Sequence, residues 1–425
     1  MKQHADQKIR DSSYEHEAGQ SRSTISRSAL APLALAIGPA AIGMTELVPM
    51  GLLPNIASSL QISLPAAGML VTDYALGVVI GAPLLATLTA RLPKKALLLW
   101  AVAIYLLGNV LCAVVPTYSL LLVVRCLTGI VHGVIFGESA AVVTKLVAPE
   151  KQARAMATVF SGFTVAAVIG VPLGTWLGQT FGWHIPFLLI TIVGICAFLA
   201  IALLIPPIKR ESETMRLKHQ FRHLLRLREI LALLITVCGC GGIFTLMTYI
   251  TPLMERISGF APIFIAPLLL IFGIGSIIGN LIGGRLAGWR LLPSLMGLQI
   301  FVPLMLLVFM SAGHNQVMTV ILLFLWASAS YAMMIPMQIR VLQQAADATS
   351  LASVINVSAS NLGNVAGSAL GGYVFASQAG LPFVPALSAL FTLIALGLVL
   401  WSYLLDRSST LKERRTSGGD DIMMS

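Results

Sequence analysis

The chain has 425 residues, 57 % of them hydrophobic and only 10 % charged, with a mean hydropathy of +0.89. Soluble globular chains carry about 25 % charged residues, so a soluble enzyme is excluded and an integral membrane protein is expected. The net charge of +10 would suit a nucleic-acid partner, but the basic residues are spread along the chain between apolar runs, as topology signals are, and no nucleic acid is expected.

The first 28 residues hold four acids and five Lys or Arg, unlike a cleavable signal peptide; they read as a disordered cytoplasmic tail. Apolar runs long enough to cross lipid then follow at about 31–53, 66–89, 96–115, 119–143, 155–179, 184–205, 229–252, 263–285, 291–311, 317–338, 350–375 and 383–405. The expected fold is an all-α polytopic membrane protein of twelve transmembrane helices in two pseudo-symmetric six-helix bundles, 29–205 and 229–405. A cytoplasmic linker at 206–228 joins them and a tail follows at 406–425. With the N-terminus inside, 25 of the 27 Lys and Arg fall on the cytoplasmic side, leaving Arg256 outside and Arg125 within a span. That asymmetry obeys the positive-inside rule and sets both termini in the cytoplasm. The basic linker is expected to lie against anionic headgroups.

The first span carries Glu46, and Pro49 three residues later. Pro49 cannot donate to the carbonyl of Thr45, so a kink beside the acid is expected; broken backbone in hydrocarbon is tolerated where protein or a water-filled cavity satisfies it. The second span brings Asp73 and the fourth brings Arg125, His132 and Glu138; Glu46, Asp73 and Glu138 are read as the acids within spans. An ionised residue at the bilayer centre costs about 2.5–3.5 kcal/mol, so each needs a partner, a cavity or a task. At about 1.5 Å per residue, Glu46, Asp73 and Arg125 reach one layer in the outer half of the membrane. Glu46 and Arg125 are therefore candidates for proton coupling, with Asp73 and His132 as further members; static, hydrogen-bonded structural roles are the alternative. Arg91 and Lys94, after the second span, are candidates to pair with Glu138 as a conformational gate.

Small residues every fourth position mark close helix packing at Gly129/Gly133/Gly137 and Gly170/Gly174/Gly178. The second triplet recurs at Gly363/Gly367/Gly371, 193 residues on, and Gly81 with Arg91 recurs as Gly275 with Arg285, 194 residues on. Two nearly equal offsets indicate a duplicated six-helix unit with a site between the halves near the midplane. The second half supplies uncharged groups: Thr248, Tyr249, Asn280, Tyr331, Gln338, Asn356, Asn361 and Asn364. They could line a path for a sugar-like or drug-like solute or serve only to join helices. The five cysteines lie in apolar runs, Cys238 and Cys240 lack nearby ligands, and neither a disulfide nor a metal is expected.

The stretches GMTELVPMGLLP (43–54), RCLTGIVHGVIFG (125–137), IGVPLGTWLG (169–178), IPMQIRVLQ (335–343) and SNLGNVAGSALGG (360–372) resemble the major facilitator superfamily. Within it they look like the twelve-helix drug:proton antiporter group and its arabinose-efflux-permease-like branch. The resemblance implies a proton-transfer role for Arg125, and a fifth-helix antiporter motif in Gly170, Pro172, Gly174 and Gly178 at the interface between halves. The loop TLTARLPKKA departs from the family pattern, with Ala90 at its acid position and Pro93 at its second glycine, and Gly288 stands where an Asp is common.

The expected function is thus proton-coupled efflux of a small organic solute by alternating access, in a bacterial inner membrane. No cofactor beyond the proton gradient is expected; the partners are solute, protons and lipid, and the chain is read as a monomer. An uncoupled facilitator, a proton symporter or a transport-inactive sensor remain alternatives. No catalytic set or phosphate loop suggests an enzyme.

Overall fold

The computed structural model describes residues 30–89, 92–208, 226–345 and 349–420, and among these there is no strand. Ten helices are long and apolar enough to cross a membrane. One of them, Pro262–Ala312, has 51 residues and bends at Arg290, where φ is −149° and ψ is 93°. Pro293 lies behind the bend; it has no N–H for the carbonyl of Trp289, so the helix yields there. That helix is two spans. Thr349–Ala376, 28 residues long, completes the set and escapes the apolar criterion because Ser, Asn and Gly fill it.

The twelve helices are α1 (Leu30–Gly51), α2 (Leu64–Leu88), α3 (Lys94–Val114), α4 (Tyr118–Leu146), α5 (Arg154–Phe181), α6 (Ile185–Leu204), α7 (Leu227–Thr248), α8 (265–289), α9 (291–312), α10 (Gln316–Gln344), α11 (Thr349–Ala376) and α12 (Val384–Asp420). A short helix, Leu53–Ser59, prolongs α1, and another, Ile250–Arg256, prolongs α7. Ser63 caps α2 by accepting from the amide of Ala66, and Asn315 caps α10 by accepting from that of Met318. Gly182 closes α5 at φ +103°, a conformation that favours glycine, and lets the chain turn back into α6. Large apolar side chains such as Trp100, Leu107, Leu203 and Leu304 remain exposed on the outer faces, as lipid-facing positions require.

The helices of each half are held by backbone contacts at glycine. Gly81 of α2 meets the backbone of Ile130 on α4; Gly275 of α8 meets the carbonyl of Phe324 on α10. Phe324 stands 194 residues after Ile130, the offset that separates the glycines themselves. On α5, Gly170 and Gly174 lie against Met44 and Val48 of α1, and Gly178 against Leu52 just beyond it. On α11, Gly363 and Gly367 lie against Val237 and Gly241 of α7, and Gly371 against Tyr249 with Thr245 behind it; Val237, Gly241 and Thr245 each stand 193 residues after Met44, Val48 and Leu52. The duplication is therefore one of packing as well as of sequence.

The α5 motif lies where α5 packs on the Ile265–Ala312 helix of the other half, while its glycines turn elsewhere. Its glycines face α1 within their own half, because each leaves room there for a larger α1 side chain. The stretch of α5 at the motif's start meets the other half too: Gly273 of α8 packs on Ala167 and Val168. That stretch, Ala166–Gly170, is a π-helical turn in which the amide of Val171 bonds the carbonyl of Ala166. Pro172 cannot donate to Val168, and the wider turn absorbs the misfit.

Candidate functional site

We call the end of the bundle where α1 begins and α6 and α12 leave it the near end, and the opposite end the far end. The halves meet along a seam whose polar contacts lie from the middle to the far end. Thr72 of α2 and Ser368 of α11 share a hydroxyl hydrogen bond of 2.7 Å. Thr251 donates to the carbonyl of Met50 at 3.1 Å. The ring of Tyr249 lies beside Gly68 of α2 and stacks on Phe375, while its hydroxyl donates to the Ser368 carbonyl at 3.0 Å. Toward the middle, Asn364 Nδ2 donates to Glu46 Oε1 at 3.3 Å. Glu46 is 4 % exposed and Asn364 is fully buried, so this bond joins an acid of one half to an amide of the other away from water.

Arg125 organises the first half of the site. Its Nη1 donates to the carbonyl of Thr45 at 2.8 Å, the very group that Pro49 leaves without its helical partner. Its Nε donates to the Leu70 carbonyl at 3.2 Å, and its Cζ sits 4.4 Å from the centre of the Tyr74 ring. Nη2 is buried without a partner. One guanidinium thus ties α4 to α1 and α2, fixing the residue that precedes Glu46. The Thr45 hydroxyl bonds the Tyr105 hydroxyl and donates to Asn109 Oδ1, bringing α3 into the same cluster.

Among the described residues no ion pair within 4.0 Å joins Arg125 to Glu46 or Asp73. The expected layer of three charges is therefore a guanidinium on backbone carbonyls beside an amide-bonded carboxyl group. Asp73 is half-buried and outside this cluster; its neighbour Tyr74 is the α2 side chain that enters it. His132, expected on the same face as Arg125, follows an interruption of α4 at Val131. Its Nδ1 lies 3.1 Å from the hydroxyl of Tyr74, so the tyrosine stands between the two bases.

At the near end Lys94 and Glu138 form an ion pair of 3.1 Å between α3 and α4, both side chains about one-quarter exposed. Arg91 lies outside the described residues. A second charged cluster was not anticipated. Arg340, taken from the sequence as a loop cation, is buried on α10, where Nη2 contacts Asp406 at 2.7 Å and donates to Ser402 at 2.6 Å, both on α12. Glu229, on the first turn of α7, is a further acid buried within a span, and its Oε2 has no partner.

The uncharged residues of the second half separate by use. Thr248 donates to the Phe244 carbonyl of its own helix, and Tyr249 serves the far-end seam. Gln338 is bonded to Asn356 and to Ser353 between α10 and α11. Asn280 is half-buried on α8, and Tyr331 is buried on α10, edge-on to Phe272. Asn361 donates to the Val357 carbonyl at 3.0 Å and leaves Oδ1 buried and unpaired; Oδ1 of Asn364 is likewise unpaired.

Residues 35–357 match the model of the Major Facilitator Superfamily. The chain belongs to that superfamily. It is similar to the inner membrane transport protein YdhP of Escherichia coli strain K12, 40 % identical over 370 residues that cover 87 % of this chain and 95 % of that protein. An uncharacterized MFS-type transporter of Bacillus subtilis strain 168, YtbD, is 35 % identical over 379 residues, covering 88 % of this chain and 96 % of that protein. Among solved structures, a bacterial homolog of the human lysosomal transporter Spinster, inward-facing and unoccupied, superposes with a TM-score of 0.66. It covers 88 % of this chain and 97 % of that one at 16 % identity, a likeness of fold. As a superfamily member the chain is a multi-pass membrane transporter. The Glu46 and Arg125 cluster then lies on the seam between the two halves of a transporter fold, where substrate and coupling-ion sites of this architecture form.

Proposed function

We propose that the chain exports a small organic solute in exchange for protons, by alternating access, from a bacterial inner membrane, acting as a monomer with both termini cytoplasmic. In this reading bundles 29–205 and 229–405 rock about the seam, joined through 206–228. The observation that carries it is the bond from Asn364 to Glu46, which links an intramembrane carboxyl group of one half to the other half. An ionisable group buried between moving bundles can make its protonation depend on their arrangement, and the arrangement depend on its protonation. Arg125 supports the role by holding the α1 backbone next to Glu46, so that the carboxyl group has a fixed station.

The near end is then cytoplasmic, and the far-end contacts of Thr72, Tyr249 and Thr251 close the external face in this state. One proton driven by about 100 mV gains about 2.3 kcal/mol, and one pH unit adds about 1.4. For a neutral solute that sustains a gradient of roughly 500-fold. The test is a solute screen in everted vesicles with a pH-sensitive dye. Wild type should release protons on addition of a transported solute, and Glu46→Gln and Arg125→Ala should not. Wild-type proton release retained in Glu46→Gln would overturn the assignment of the carrier.

A further inference from the structure

We propose that the near end of the second half holds a phospholipid whose headgroup combines a phosphodiester with a primary ammonium. The site is a cavity of about 460 Å³. Arg226, Leu227, Arg228 and Glu229 line it at the start of α7, with Gln344 at the end of α10 and Leu405 on α12. All of its walls belong to the second half, so it is distinct from the seam.

Its positive side is only partly used. Arg226 is exposed and, among the described residues, makes no ion pair or hydrogen bond with its side chain. Arg228 is loosely held: Nη2 donates to the Leu405 carbonyl at 3.5 Å and Nη1 stands 3.9 Å from Asp406, whose shorter contact, 2.7 Å, is with Arg340. The first helical bond of α7 runs from the amide of Ile230 to the carbonyl of Arg226 at 3.0 Å. The amides of Leu227, Arg228 and Glu229 therefore have no acceptor within the helix. A phosphate oxygen suits both the guanidinium groups and the open helix end.

Glu229 narrows the choice of headgroup. It is 6 % exposed, its carboxyl group bonds none of the described residues, and Oε2 is buried without a donor. An anionic headgroup would bring a second negative charge beside this acid, and a quaternary ammonium would bring a positive charge without an N–H. A primary ammonium supplies both charge and donors. The rim of the cavity also opens on lipid-facing surface. Leu227, Ile230 and Leu234 form an exposed stripe on α7, and Leu404 is exposed next to Leu405. Acyl chains can run along that surface, so the phosphodiester is assigned to a bilayer lipid.

The test is native mass spectrometry of the purified full-length protein with equimolar phosphatidylethanolamine, phosphatidylcholine and phosphatidylglycerol of one acyl length. The ethanolamine lipid should be retained about tenfold or more over each of the others, the size of one charge-assisted hydrogen bond. Glu229→Gln, which keeps the shape and removes the charge, should lower it to the choline level. Arg226→Gln, at an exposed position, should lower retention of all three. Glycerophosphoethanolamine, the same headgroup without acyl chains, should not displace the lipid at equal concentration. Equal retention of the three lipids, or a preference untouched by Glu229→Gln, overturns the proposal. Retention untouched by Arg226→Gln also overturns it, and decides the matter if Glu229→Gln does not fold. Displacement by glycerophosphoethanolamine at equal concentration would overturn the assignment to a lipid.

Discussion

Arg125 replaces a hydrogen bond that the α1 backbone lacks. Pro49 withholds a donor from Thr45, and the guanidinium supplies one from α4 while a second N–H serves Leu70 on α2. Lysine is a point donor on a flexible stem and cannot reproduce that fork. Arg125→Lys should keep the charge yet lose the bond to Thr45 or to Leu70; loss at Thr45, whose carbonyl has no helical donor, costs about 1–3 kcal/mol. A lower unfolding temperature in detergent measures it; an unchanged one would mean the carbonyls find other donors. The sequence made Glu46, Arg125 and the freed Thr45 carbonyl visible, because charge and proline in an apolar run are local signals. It did not pair them, since the carbonyl and its donor are 80 residues apart. Tyr74 stayed hidden, and Asn364 was visible only as one of several uncharged groups, for the same reason: their importance lies in what faces them, and an aromatic or an amide in a span is unremarkable until that neighbour is known.

At the level of helices, regular glycine spacing is a good guide to close approach and a poor guide to its partner. Gly129 and Gly133 of α4 pack on α2, but Gly137, continuing the same spacing, has open space around it. A Cβ at Gly129 would fall on the carbonyl of Tyr74, which is backbone and cannot move aside. Gly129→Ala should therefore lower stability by forcing α2 and α4 apart, and with them Tyr74 from Arg125, whereas Gly137→Ala should be neutral. Thermal unfolding of the two variants separates the cases. Span positions were legible because hydrophobic length is set by the bilayer. The boundary between the eighth and ninth spans was read as a loop, and in the structure it is a bend in one helix at Arg290.

For the molecule as a whole, ties between the halves and ties within a half predict different behaviour. Thr72 and Ser368 join the halves with hydroxyl oxygens 2.7 Å apart. Replacing both by cysteine, in a chain whose five native cysteines are alanine, should allow a disulfide that holds the far end shut. Oxidation should then stop transport and reduction restore it; transport continuing with the bond formed would mean that this contact need not open. Lys94 and Glu138 sit within the first half. If their pairing biases one access state, the double reversal Lys94→Glu with Glu138→Lys should recover transport that either reversal alone loses, while independent effects would identify a surface anchor. The two-bundle plan was legible from the repeat; which faces meet was not, because a 193-residue offset specifies equivalence and says nothing of orientation.

The Arg125 bond to the Thr45 carbonyl also sets a timetable for biogenesis. The donor is 80 residues downstream, so at about 5–20 residues per second a ribosome needs roughly 4–16 s to make it after Thr45. Asn364 follows Glu46 by 318 residues, a wait of roughly 16–64 s at the same rate. Until those residues are made, the Thr45 carbonyl lacks its Arg125 donor and the Glu46 carboxyl group lacks its Asn364 amide, so the first half is complete before the second half exists to engage its acid.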